Sequence, residues 1–350
     1  MTYKLSYTQA KSLVTWYIKN KRLLPWRDTN NPYDVWLSEI MLQQTRVEVV
    51  IPYFLRFKET LPTIQDLATC EEETLLKLWE SLGYYSRVRN LKKAAQILME
   101  KYDGKLPKEE TLLKELPGIG PYTAGAISAI AFGKPIPAVD GNVLRVLTRY
   151  FGIKEDIRLN STRKKLEDIL ISFYQNNDKK IDEAFVSNLT QGFMELGALN
   201  CIPSGKPNCA HCPMRKNCYA YLNNETSTIP YRSALKKRRK EKMSVCVIED
   251  DTLICVNKRK ESLLHGLYEF PHFKDHLSKQ EIIHNLEEIG YEVLRIHPLG
   301  SYTHIFSHIE WDMIGYKIKV TSCKNGPYTT IKKSQIHDLA FPSAFQYYFD

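Results

Sequence analysis

No run of about 18 consecutive apolar residues occurs in this 350-residue sequence, which excludes a membrane-spanning helix of the usual kind. The opening stretch, MTYKLSYTQAKSLVTWYIKNKR, lacks both an apolar leader core and a small-residue cleavage site, so no secretory signal is expected there. No internal repeat or low-complexity tract is visible. The composition is 43% hydrophobic and 25% charged, an ordinary globular mix that rules out a wholly disordered or collagenous chain. A cytoplasmic protein of two or three domains is expected, at about 150 residues per domain.

The surplus of one charge sign is small. Lys and Arg outnumber Asp and Glu by 49 to 40, a formal net charge of +9, which is a mild bias toward polyanions. The cysteines say more. Of eight, Cys201, Cys209, Cys212 and Cys218 fall within 18 residues at spacing C-x7-C-x2-C-x5-C. Such clustering in a cytosolic chain argues for metal rather than disulfides, and spacing alone allows zinc as readily as iron–sulfur. Cys70, Cys246, Cys255 and Cys323 are scattered and read as buried apolar residues or inert thiols.

Residues 1–222 read as helical, with apolar residues at intervals of three and four, as in Leu75, Leu76, Leu78, Trp79 and Leu82. Asn31-Pro32 fits a cap followed by a first-turn proline. Residues 223–242, NNETSTIPYRSALKKRRKEK, read as a linker whose basic end, Lys236–Lys242, suits a phosphate backbone. From 243 to 350 the pattern changes. MSVCVIEDDTLICVNKR predicts two strands around a Glu-Asp-Asp turn, SKQEIIHNLEEIG a helix ending at Gly290, and WDMIGYKIKV another strand. A second, α+β domain is expected.

The strongest local motif is LPGIGPYTAGAI, residues 116–127. Gly118 and Gly120 permit a tight turn, Pro121 opens a helix, and Ala124, Gly125, Ala126 and Ser128 allow close packing. Amides at that helix start suit a phosphate. Further on, PAVDGNVLRVLTRYFG places Asp140 at an N-cap. Glu39 stands within the apolar stretch WLSEIML, where burying a carboxylate is costly without a partner or a task.

These motifs, a helix-hairpin-helix at about 110–131, a Val-Asp some twenty residues on, and the cysteine loop 201–218, resemble the endonuclease III superfamily of DNA glycosylases. Within it, PWRDTNNPYDVWLSEIMLQQTRV (residues 25–47), Tyr122 in place of a Schiff-base lysine, and the Phe306-Ser307-His308 loop resemble the MutY-type adenine DNA glycosylases. The implied fold is a mainly α glycosylase region (a six-helix barrel subdomain plus an Fe–S cluster subdomain) followed by a Nudix-like α+β domain. The implied activity is flipping out and hydrolytic removal of adenine mispaired with 8-oxoguanine or guanine in double-stranded DNA, with at most weak lyase activity.

The resemblance also assigns roles. Glu39 becomes the general acid at adenine N7, Asp140 the carboxylate facing the sugar cation, and Tyr122 and Asn142 supports for sugar and water. Arg22, Trp26, Arg27 and Gln191 match the adenine pocket. Gln43, Gln44, Tyr84, Arg87, Gly118, Gly120, Phe306, Ser307 and His308 match contacts to DNA or the opposite 8-oxoguanine, Tyr84 as a wedge. The four cysteines imply one [4Fe–4S] cluster, although the first gap is one residue longer than the usual C-x6-C. The Nudix box is broken: Asp275 replaces its first Glu and Ile283-His284 its Arg-Glu pair, so pyrophosphatase activity is not expected. A monomer is expected. The alternatives are a thymine-mismatch or oxidised-pyrimidine glycosylase of the same superfamily, and a non-catalytic damage sensor.

Overall fold

The computed structural model describes residues 3–27, 29, 31–234 and 237–349; Lys236, the first residue of the basic run, lies outside them. The chain divides into two compact units, residues 1–69 with 89–234, and residues 70–88 with 235–350.

The first unit is helical. Its site is built by α1 (Tyr7–Asn20), α2 (Pro32–Leu42), α3 (Pro121–Phe132), α4 (Gly141–Phe151) and α5 (Glu183–Leu199). Local chemistry starts each of them. Ser6 and Gln9 form a capping box on α1, and the Asn31 side chain accepts from Tyr33 N ahead of Pro32 in α2. Asp140 and Asp182 cap α4 and α5. Helix α5 packs against α1, α3 and α4, joining Leu13, Leu144, Leu147, Phe193 and Leu196 in one core. Close approach is what the small residues of α3 permit. A Cβ on Gly125 would stand 2.2 Å from the Pro137 carbonyl oxygen. Gly118 takes φ +80°, a left-handed turn that other residues resist.

The second unit carries a seven-stranded sheet: β1 (Arg239–Glu249), β2 (Leu253–Lys258), β3 (Tyr268–Glu269), β4 (His272–Lys274), β5 (Val293–Ile305), β6 (Ile309–Val320) and β7 (Thr329–Lys332). The main order is β3-β2-β1-β6-β5, with β4 paired to β1 and β7 to β2. Only β1 and β6 run parallel. Strand alternation splits the core in two. Met243, Val245 and Val247 join Phe270, Trp311, Phe341 and Phe345 on one face. Cys246 and Ile248 face Ile282 and Leu286 of α6 (Lys279–Glu288) on the other. Asp250 makes the turn before β2, accepting from Thr252 N and Leu253 N.

Two boundaries differ from the sequence reading. The 223–242 stretch is not a free connector. Its first half is pinned to the first unit, where Arg149 donates to Ile229 O at 2.7 Å and Ile157 N to Tyr231 O at 3.2 Å. Its last residues, Arg239–Lys242, are already β1, registered against Ile309–Asp312; their side chains are charged, but their backbone is paired. Residues 70–88 also group with the second unit rather than with the helices around them in sequence. Among the described residues, no helix is long and apolar enough to cross a membrane.

Candidate active site

Helix α2 has no solvent face: Tyr33 and every residue from Val35 to Met41 are buried. Glu39 is therefore buried with them, at 7% exposure, and opens only into a cavity of about 910 Å³. That cavity is lined by Arg22, Trp26, Arg27, Gln43, Gln44, Tyr122, Asp140, Asn142 and Gln191, so the predicted chemical and pocket residues are brought together in one place. Burial pushes the Glu39 carboxyl up to about 7, helped by the nearby Asp140 and opposed by a Tyr122 hydrogen bond and by Arg27. The Tyr122 hydroxyl donates to Glu39 Oε2 at 2.6 Å. Burial and the two carboxyls also raise the Tyr122 phenol well above its ordinary value, keeping it a donor.

Asp140 is held as a cap. Its Oδ1 accepts from Val143 N at 2.7 Å and its Oδ2 from Asn142 Nδ2 at 2.8 Å. Burial raises its pKa while these bonds pull it back. Asn142 is fixed in turn by Arg145, which reaches its Oδ1 at 2.8 Å and the Gly197 carbonyl at 2.7 Å. The cap and the carboxylate facing the cavity are thus the same residue, which reconciles the two readings of Asp140.

Sequence reasoning missed Glu195. It lies on α5 with 0% exposure and lines the cavity. Arg22 donates to it from the backbone N, Nε and Nη2, and Arg27 from Nη1 and Nη2, all within 2.8–3.0 Å. Burial works against its charge, but the bonds from Arg27 and Arg22 overcome this and hold the carboxyl at about 2. The signal was present: Glu195 sits in QGFMELGAL as Glu39 sits in WLSEIML, a lone acid in an apolar stretch. Gln191 is already engaged, accepting from Tyr17 Oη at 2.9 Å and donating to Ser187 Oγ at 3.3 Å. Gln43 donates to Thr123 Oγ1 at 3.3 Å, and Gln44 takes φ +59° at the end of α2.

At the hairpin, Gly120 has ordinary extended φ and nothing within 4 Å of a Cβ, so its amide stands at the α3 start on an open surface. In the second unit, Phe306 is half-buried edge-on against His304 and Trp311, whereas Ser307 and His308 are exposed at the turn. Tyr84 Oη lies 2.5 Å from Ser307 Oγ. Arg87, expected in contact with DNA, turns inward. It is 9% exposed, bonds the Leu82 and Gly83 carbonyls, and lies over the Trp79 and Tyr84 rings.

The cysteine loop closes on the end of α5. Cys201 N donates to Leu196 O, Asn208 N to Asn200 O, and Cys218 N to Arg215 O. Within the first gap, Gly205 takes φ +79° with open space beside it. None of the eight cysteines is joined in a disulfide. Cys201, Cys212 and Cys218 pack on the helical core, and Cys201, Cys209 and Cys218 lie near enough to Cys212 to add to the rise that burial gives its thiol, to about 12. Among the described residues, no three His, Cys, Asp or Glu side chains converge on a point that would hold a single metal ion.

Residues 37–171 match the HhH-GPD superfamily of base excision DNA repair proteins, and residues 244–350 match the NUDIX domain. The adenine DNA glycosylase of Buchnera aphidicola subsp. Acyrthosiphon pisum is 36% identical over 305 residues, 86% of this chain and 84% of that one. That of Mus musculus is 33% identical, over 91% of this chain and 71% of its own length. Among solved structures, a thermostable thymine-DNA glycosylase aligns with TM-score 0.54 and 28% identity, over 62% of this chain and 97% of its own. An endonuclease III–DNA complex at 24% identity and TM-score 0.50 shares the fold.

Proposed function

The chain belongs to the adenine DNA glycosylases, DNA N-glycosylases of base excision repair, and we propose that it removes adenine paired with 8-oxoguanine or guanine, using Glu39 as proton donor. One observation carries the reading: a buried carboxyl with a pKa near 7, bonded to Tyr122 on one oxygen, in the same cavity as a second carboxyl. In this mechanism Glu39 gives its proton to adenine N7. The glycosidic bond then breaks, its electron pair leaving with a neutral purine, and the Asp140 carboxylate faces the cationic sugar. The ionised Glu39 next accepts a proton from the attacking water. Asn142 and Val143 N hold Asp140 in place, and the Glu195–Arg22–Arg27 cluster forms a rigid pocket wall beside the base. The exposed turn with Ser307 and His308, beside Tyr84, is the reader of the opposite base.

Single-turnover cleavage of duplexes carrying A:8-oxoguanine, A:G, T:G and thymine glycol tests this. Release of adenine from the first two alone is expected, and fastest with 8-oxoguanine. Cleavage at T:G or thymine glycol with A:8-oxoguanine intact would overturn it.

The four cysteines would hold a [4Fe–4S] cluster. The four-thiolate donor set allows zinc as well as a polynuclear iron–sulfur cluster, and the likeness to the adenine DNA glycosylases favours the cluster. Such a cluster would supply no step of base release and would hold in place the loop carrying Lys206, Arg215 and Lys216. Purified protein should be brown, with broad visible absorption and about four irons per chain. A colourless, zinc-loaded and active protein would refute the cluster.

A further inference from the structure

The segment 70–88 carries Tyr84 on a sharp reversal: Ser81, Gly83 and Tyr84 all have positive φ, at 72°, 71° and 49°. Such backbone is strained for Ser and Tyr and persists only where its surroundings fix it. Part of the fixing is internal. Trp79 Nε1 donates to Gly83 O at 3.1 Å, and Ser81 N to Tyr85 Oη at 3.2 Å. The rest comes from the end of the chain. Lys77 Nζ donates to His337 O at 2.6 Å and Leu339 O at 3.3 Å, and pairs with Glu80 at 2.7 Å. Glu80 Oε1 accepts from Phe341 N at 3.1 Å, and Ser81 Oγ from Gln346 Nε2 at 3.1 Å. The anchor is rigid, because the Phe341 side chain is 1% exposed and packs on Phe270 and Phe349. Tyr84, 44% exposed, then arrives 2.5 Å from Ser307 on the other side of the same unit.

We propose that Lys77 and Glu80 are positioning residues for opposite-base recognition: they fasten the segment 70–88 to the 337–341 backbone, so that Tyr84 and Ser307 meet the base as one piece. This rests on the reading of Tyr84 and the 306–308 turn given above. Glu80 and Lys77 touch neither DNA nor the reacting atoms in this account, so their loss alters discrimination rather than chemistry. A fixed pair holds its geometry without ordering cost when the base arrives.

The test is the ratio of single-turnover rates on A:8-oxoguanine and A:G. Glu80→Ala and Lys77→Met should each lower it by roughly three- to tenfold, the worth of one or two hydrogen bonds, with the A:G rate held. Glu80→Gln keeps an acceptor oxygen and should restore most of the ratio. The Ser307→Ala/His308→Ala double variant, run beside them, reports on the underlying reading. If that double variant lowers the ratio and Glu80→Ala does not, the positioning role is wrong while the reading stands. If neither lowers it, the reading fails and the proposal with it. Equal slowing on both mispairs by Glu80→Ala would mark a merely structural contact and also overturn it.

Discussion

Replacing Glu39 by Gln should slow single-turnover release of adenine by about 10²- to 10⁴-fold, the usual range for removing a general acid. Glutamine has the same shape, and its carbonyl oxygen can still accept from Tyr122, so the fold is expected to survive. The parent enzyme's pH profile follows from the same group. With a carboxyl pKa near 7, the protonated fraction is about one half at pH 7 and about one tenth at pH 8, so the rate should fall through that interval. The residual rate of Glu39→Gln should lack that fall. Stability carries the same sign. A carboxyl whose folded pKa lies above its ordinary 4.5 favours the fold when protonated, and that contribution is lost as pH rises through about 7. Glu39→Gln should therefore melt no lower than the parent at pH 8, and the difference should shrink toward pH 5. A variant that keeps its rate within tenfold of the parent would remove Glu39 from the acid role.

The parts of this molecule that were legible in the sequence are those fixed by local chemistry. Asn31-Pro32 and Asp140 announce helix starts, Gly118 a tight turn, and the run from Met243 to Ile248 a strand. Glu39 stood out because an acid in an apolar helix needs a reason. Glu195 carries the same mark, but its reason lies more than 160 residues away in Arg22 and Arg27, and periodicity within α5 says nothing of partners on another segment. The tie of 70–88 to the chain's end was invisible for the same cause. It is made through backbone groups of His337, Leu339 and Phe341, whose hydrogen-bonding capacity is the same whatever the side chain. The start of β1 was hidden differently. Arg239 to Lys242 present charged side chains that read as linker, while their peptide groups pair with β6. Arg87 shows the limit of reading charge as surface: its guanidinium is spent on two carbonyls and two rings inside its own loop.

Glu195→Ala is the substitution expected to cost the fold most. The carboxylate is 1% exposed by side chain, and the two guanidinia that clasp it are 9% exposed at Arg27 and 29% at Arg22. Deleting it leaves like charges facing each other on the cavity wall, a loss of roughly 3–5 kcal/mol for a broken buried pair. For a unit of this size the melting temperature should drop on the order of 10 °C. Glu195→Gln keeps acceptor oxygen but no charge and should fall between parent and alanine variant. Pairing Glu195→Leu with Arg27→Met should recover part of the loss, because the orphaned charge is then removed along with its partner. Acid dependence gives a second handle. The carboxyl is held at about 2 against an ordinary 4.5, so it stabilises the fold above pH 4.5, and that contribution disappears as pH falls through about 2. Glu195→Gln should lack this part of the acid transition. Below the melting range, adenine release should still be impaired, since Arg22 and Arg27 line the cavity in positions that Glu195 dictates. An alanine variant melting within 2 °C of the parent, at about 2–4 °C per kcal/mol, would show that the cluster contributes far less than a buried ion pair should.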